Sequence, residues 1–128
     1  MKKAKGYTQK NHTIPTKRYC QTLELKDDPE LIQEYIIRHS ETYHWPEIRE
    51  GIRSVGILEM EIYFRNTTLF MIVETPLDFN WEVAFAKLAG LPRQAEREKY
   101  MSVFQETSCD DDLSEKWKKM ERLFHLYE

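Results

Sequence analysis

Tyr35 and His39 stand four residues apart, the spacing that brings two side chains onto one face of a helix. A histidine takes and gives a proton near neutral pH, and a tyrosine beside it can hydrogen-bond a hydroxyl. The same pair also suits a helix whose inner stripe is aromatic and whose end carries a packed histidine. Glu24, Glu59, Glu61 and Glu74 fall in strand-like stretches, and Glu59 and Glu61 share a face opposite Met60. Facing a pocket, one of these carboxylates would partner His39 in acid/base work; facing water, they are surface charges. Trp45, Trp81 and Trp117 carry indole faces on which sugar C–H bonds stack, although core packing uses them equally well.

Other chemistries lack their motifs. Glu41-x-x-His44 is half of a di-metal helix motif without a second copy. Asp110-Asp111-Asp112 lacks the alternating ligands of a calcium loop. The four glycines are all separate, so no phosphate-cradling loop forms, and no GxSxG nucleophile signature occurs. The expected chemistry is proton transfer, with no metal, no cofactor and no covalent intermediate.

The elements that must position these residues follow from periodicity. Lys17 to Lys26 alternates as a strand, with Tyr19, Gln21, Leu23 and Leu25 on one side. Asp28 caps a helix, Pro29 suits its first position, and the inner stripe is Leu31, Ile32, Tyr35, Ile36 and His39, running to about Thr42. Trp45-Pro46 opens a short second helix that Gly56 stops. Ile57 to Arg65 alternates, with Leu58, Met60, Ile62 and Phe64 together. After a turn at Arg65 to Thr68, the continuous run Leu69 to Val73 reads as a central strand buried on both faces, making an antiparallel hairpin. Asp78 or Asn80 caps a helix with the stripe Trp81, Ala84, Phe85 and Leu88, ended by Gly90 and Pro92. A further helix spans about Arg93 to Gln105. Thr107 to Glu115 is an acidic loop, and Trp117 to Tyr127 reads as a last helix turn followed by a closing strand, with Leu123, Phe124 and Leu126 as its apolar part.

The order β-α-(α)-β-β-α-(α)-β is the ferredoxin-like α+β plan, an antiparallel sheet with helices on one face. The other face is apolar (Leu58, Met60 and Ile62, or the opposite register), so two sheets are expected to face each other in a homodimeric barrel. With 128 residues and 12% aromatics the chain has material for one core. Residues 1–16 read as a flexible basic tail and 17–128 as a single domain. Lys2, Lys3, Lys5, Lys10, Lys17 and Arg18 stand before any acid, leaving 13 basic against 22 acidic residues in the remainder. That acidic body argues against a nucleic-acid partner. No apolar run reaches the roughly 18 residues of a membrane span, no apolar segment of a signal peptide follows the first lysines, and Cys20 and Cys109 form no CxxC. A cytoplasmic protein without a membrane partner is expected.

The ordered set Lys17-Arg18-Tyr19-Cys20, Leu25-Lys26-Asp27-Asp28-Pro29-Glu30-Leu31, Trp45-Pro46-Glu47-Ile48, Gly56-Ile57, Met60-Glu61-Ile62-Tyr63 and Leu69-Phe70-Met71-Ile72-Val73-Glu74 resembles the L-rhamnose mutarotase family, in the branch also labelled L-fucose mutarotase. Glu115-Lys116-Trp117 and Met120 to Phe124 extend the likeness over about residues 17–128. The resemblance implies a dimeric ferredoxin-like α/β barrel without metal or cofactor, an acid/base histidine at His39, and a substrate-contacting tyrosine at Tyr35. Two positions depart from the family pattern. Met60 stands where a strand tyrosine can occur, and Arg97-Glu98 where a late Trp pair or single Trp occurs. Met60, Arg97 and Trp45 complete the expected sugar-contacting set, with Trp81 as an alternative stacking surface.

Mutarotation opens a pyranose ring and recloses it on the other face of C1. It needs one group to take the anomeric hydroxyl proton and another to protonate the ring oxygen. The expected substrate is a 6-deoxyhexose such as L-rhamnose or L-fucose. Because fold alone does not settle function, a non-catalytic ligand-binding barrel and a cofactor-free oxygenase are the competing readings.

Overall fold

The computed structural model describes residues 6–39, 46–101 and 117–127, leaving aside the side chains of residues 98, 100 and 101. The chain runs β1 (Thr16–Glu24), α1 (Pro29–Arg38), α2 (Pro46–Ser54), β2 (Glu59–Arg65), β3 (Thr68–Pro76), α3 (Trp81–Ala89), α4 (Gln94–Met101) and β4 (Lys118–Lys119). The strands form one antiparallel sheet in the order β2-β3-β1-β4. In this order β1 and β2 run parallel with β3 between them, and β3 and β4 run parallel with β1 between them. Parallel partners need a crossover, and the two helical pairs supply it. The ferredoxin-like plan expected from the element order is the fold observed.

Local chemistry sets the element ends. Asp28 Oδ1 accepts from the amides of Glu30 (3.0 Å) and Leu31 (3.3 Å), and Pro29 opens α1. Of the two candidate caps for α3, Asn80 acts: its Oδ1 accepts from Val83 N at 3.0 Å. Asn66 turns the β2–β3 hairpin at φ 57°, in the left-handed region where asparagine is tolerated. α1 ends at Arg38, short of the expected Thr42, with His39 as its C-cap donating its backbone N–H to Ile36 O.

Register assigns the two sheet faces. Met60 pairs with Val73, which pairs with Tyr19, so these three lie on one side. That side is helix-covered. Leu23, Leu25, Leu69, Met71 and Val73 form the core with Tyr35 of α1 and Trp81, Phe85 and Leu88 of α3, joined by Trp117. The other face carries Cys20, Thr22, Phe70 and Ile72 beside Glu59, Glu61, Tyr63 and Glu74. The uncovered face is therefore the opposite register to Met60 and Ile62.

Two expectations are corrected. β3 is central, but only Leu69, Met71, Val73 and Thr75 are buried, while Phe70 and Ile72 are half-buried. A helix layer covers one face only, so a continuous apolar run does not become doubly buried within one chain. The closing strand is only Lys118–Lys119, extended by Met120 N donating to Cys20 O at 2.8 Å. Beyond it Leu123 is 100% and Phe124 76% exposed. Among the described residues their side chains meet no sheet face, so the strand does not extend to them.

The segment before β1 also touches the sheet. Tyr7 packs edge-on against Tyr63 at 5.6 Å, and Gln9 Nε2 donates to Glu61 Oε2 at 3.3 Å.

Candidate active site

His39 closes α1, and its imidazole folds back onto that helix. Its Nδ1 lies 2.9 Å from the backbone carbonyl of Tyr35. A carbonyl only accepts, so Nδ1 carries the hydrogen and Nε2 keeps its lone pair in the neutral ring. The imidazole also packs against the Tyr35 ring at 4.3 Å with a tilt of 33°. The (i, i+4) spacing thus yields a contact between rings and a fixed tautomer.

The surroundings favour the neutral imidazole. Burial lowers the His39 pKa below its ordinary 6.5, and the nearby guanidinium groups of Arg97 and Arg49 push in the same direction. The hydrogen bond to the Tyr35 carbonyl opposes them without reversing the shift. A neutral imidazole with its Nε2 lone pair uncommitted to that carbonyl is a base at physiological pH.

Arg97, expected to contact sugar, lies on α4 and is 9% exposed. Its Nη2 donates to the carbonyl of Arg38 at 3.1 Å. That carbonyl belongs to the last turn of α1, where helical acceptors lack partners. Arg97 therefore ties α4 to the end of the helix that carries His39, besides placing a positive charge near the imidazole.

The remaining candidates are distributed unevenly. Tyr35 is buried in the core beneath His39. Met60 is half-buried and packs against the core from β2. Trp45, with Glu41, His44 and Asp110 to Asp112, lies outside the described residues. Glu24, Glu59, Glu61 and Glu74 all lie on the sheet face away from the helices. There Glu24 accepts from Thr67 and Thr68, Glu61 from Tyr63, and Glu74 from Thr16. The strand carboxylates are not brought to His39.

Trp81 is 4% exposed and packed among Phe85 (4.3 Å), Tyr19 (4.6 Å) and Phe79 (6.4 Å), with Lys119 Nζ 4.5 Å from its ring centroid. Trp117 is likewise core. Among the described residues, no three His, Cys, Asp or Glu side chains gather closely enough to hold a metal ion.

Sequence reasoning missed Arg49 of α2, whose guanidinium bears on the His39 charge only in the folded chain. It also passed over Gln21. A polar residue in the apolar stripe Tyr19-Gln21-Leu23-Leu25 was the available signal.

Fold and residues together define a small α+β protein whose first helix, packed on the sheet, ends in a tautomer-fixed histidine stacked on a tyrosine. The family model for L-rhamnose mutarotase matches residues 18–126. A UPF0734 protein of Dictyostelium discoideum is 36% identical over 114 residues, covering 86% of this chain and 90% of its own. The L-fucose mutarotase of Xanthomonas campestris pv. campestris is 33% identical over 111 residues, covering 87% of this chain and 89% of its own. A crystal structure of an L-rhamnose mutarotase from Formosa agariphila superposes with a TM-score of 0.64 at 18% identity, over 86% of this chain and 98% of that one, a likeness of fold. The chain belongs to the L-rhamnose mutarotase family, whose members are isomerases acting on sugars.

Proposed function

We propose that this protein interconverts the α and β anomers of a 6-deoxyhexose, L-fucose or L-rhamnose, with His39 as the base. The observation that carries the reading is the Nδ1–H bond from His39 to the Tyr35 carbonyl, which leaves Nε2 as the acceptor. The two sugars named for its relatives are both 6-deoxyhexoses.

In this mechanism Nε2 of His39 takes the proton of the anomeric hydroxyl. The C1–O5 bond breaks, its electron pair goes to O5, and the hydroxyl of Tyr35 supplies a proton there. C1 turns about its bond to C2, and the reverse transfers close the ring on the other face. Tyr35 is the preferred acid because its ring packs on the imidazole while the strand carboxylates face the other way. Burial, helped by the charges of Arg97 and Arg49, keeps His39 neutral between turnovers. Acid/base assistance of this kind contributes on the order of 10²–10⁴-fold, enough for a reaction that already proceeds unaided. Met60 and Trp45 are assigned to the apolar side of the sugar.

The working form is proposed to be a homodimer. Leu123, Phe124, Leu126 and Tyr127 are each at least 70% exposed on one short segment, a density of apolar surface that water does not favour. Two copies pairing their uncovered sheet faces, each laying this C-terminal arm on the other, would bury it. No described helix is long and apolar enough to cross a membrane, and the cytoplasm is the proposed compartment. Residues 1–16 are proposed to be a basic tail whose last residue, Thr16, opens β1, ahead of a single catalytic domain, 17–128.

Anomer exchange measured by NMR on L-fucose and L-rhamnose tests the reading. The wild type should speed exchange of at least one sugar, and His39→Ala should return it to the buffer rate. Exchange no faster than in buffer for both sugars sinks the proposal.

A further inference from the structure

Gln21 lies at the centre of β1, on the helix-covered face, and is 0% exposed. Neither its Nε2 nor its Oε1 has a hydrogen-bond partner among the described residues. The Nε1–H of Trp81, 4% exposed, is likewise without a partner. These two groups share their neighbours. Tyr19, two positions before Gln21 on the same face, packs on Trp81 at 4.6 Å. Lys119, opposite Gln21 in the β1–β4 register, holds its Nζ 4.5 Å from the Trp81 ring centroid.

Packing does not explain a glutamine here. Its neighbours along the stripe are Tyr19, Leu23 and Leu25, and leucine or methionine would fill a similar volume without polar atoms. A buried donor and acceptor left unsatisfied destabilise the free protein, so the amide is an expense that the fold itself does not require. Its chemistry states what would satisfy it. An amide offers one acceptor and one donor group side by side, and an indole offers a donor only. A pair of neighbouring hydroxyls, each able to donate and accept, matches this set, as on the ring of a neutral monosaccharide.

We infer that Gln21 is a specificity-determining residue, its amide reading adjacent hydroxyls of the bound sugar from the sheet floor with Trp81 Nε1–H beside it. The inference rests on the mutarotase reading for the sugar's identity. It assigns Gln21 no part in proton transfer. Gln21 sets which hydroxyl pattern is accepted, while His39 acts at C1.

The test compares wild type with Gln21→Leu and Gln21→Met by thermal unfolding in buffer and in L-fucose, L-rhamnose and L-galactose, alongside NMR anomer exchange. The apolar variants should unfold at the same or a higher temperature in buffer, because the unsatisfied amide is gone. Their stabilisation by the preferred sugar should fall, and KM for exchange should rise about tenfold, the worth of roughly one to two lost hydrogen bonds, with kcat little changed. A lower unfolding temperature with unaltered sugar response assigns Gln21 to structure alone and overturns the inference. So does failure of every sugar to stabilise the wild type. If a sugar stabilises wild type but not Gln21→Leu while exchange stays at the buffer rate, Gln21 is upheld and only the catalytic reading falls.

Discussion

At His39 burial, a neighbouring carbonyl and two arginines together set the state of the imidazole. The Tyr35 carbonyl holds the hydrogen on Nδ1, and burial with Arg97 and Arg49 lowers the pKa below 6.5. The midpoint of the acid limb of exchange activity should therefore lie below pH 6.5, as Nε2 becomes protonated. Removing the charge with Arg97→Gln should shift this acid limb to higher pH, measurable from kcat/KM against pH. Stability follows the same group. Because the folded pKa is lowered, the unfolded chain binds more protons between that value and 6.5. His39 thus costs no stability above about pH 6.5, and its cost grows as pH falls through that window, reaching its full value below the folded pKa. His39→Gln should flatten that part of the unfolding profile.

Helix α1 carries the reactive pair, so its start and its neighbours matter to the site. The Asp28 carboxylate satisfies two amides of the first turn. Asp28→Ala should lower stability by about 1 kcal/mol, read from denaturant unfolding, with KM unchanged if the far end of the helix keeps its place. α2 and α4 meet closely at Gly51. A Cβ placed there would lie 2.5 Å from Gln94 Nε2, and Gln94 is buried and donates to Ile48 O at 3.3 Å. Gly51→Ala must displace that amide and break its bond to Ile48 O, but it also gains about 1 kcal/mol of helix propensity, so the net cost should stay under about 1 kcal/mol. Because α4 also bears Arg97 and α2 bears Arg49, the same variant should shift the acid limb of the activity profile as well as the unfolding midpoint.

Across the whole molecule the apolar surface is unevenly distributed. One sheet face is closed by helices, and the other carries half-buried Phe70 and Ile72 with charges around them. The segment after β4 exposes Leu123 entirely. Sedimentation of the wild type should show a dimer, and Leu123→Asp with Phe124→Asp should shift it to monomer. A monomeric wild type at micromolar concentration would remove the barrel-like pairing of two sheets.

Much of this architecture follows from short-range pattern. Alternation placed Tyr19, Gln21, Leu23 and Leu25 on one side of β1, the stripe Trp81-Ala84-Phe85-Leu88 on the buried side of α3, and Tyr35 with His39 on one helix face. Each rests on the geometry of a single element, which neighbouring residues determine. The caps at Asp28 and Asn80 are local for the same reason. What only the tertiary structure decided depends on contacts between distant segments. The face that stays uncovered, the turning of the strand acids away from His39, and the failure of Leu123 to Leu126 to join the sheet all come from strand register and helix placement. Arg97, read as a sugar contact, donates to a helix carbonyl 59 positions earlier in the chain. Arg49 bears on the His39 charge from a second helix, and Gln21 shows its unsatisfied amide only once helices roof the strand. Spacing along the chain orders side chains around one axis, but electrostatics and burial sum over every segment that folds against them.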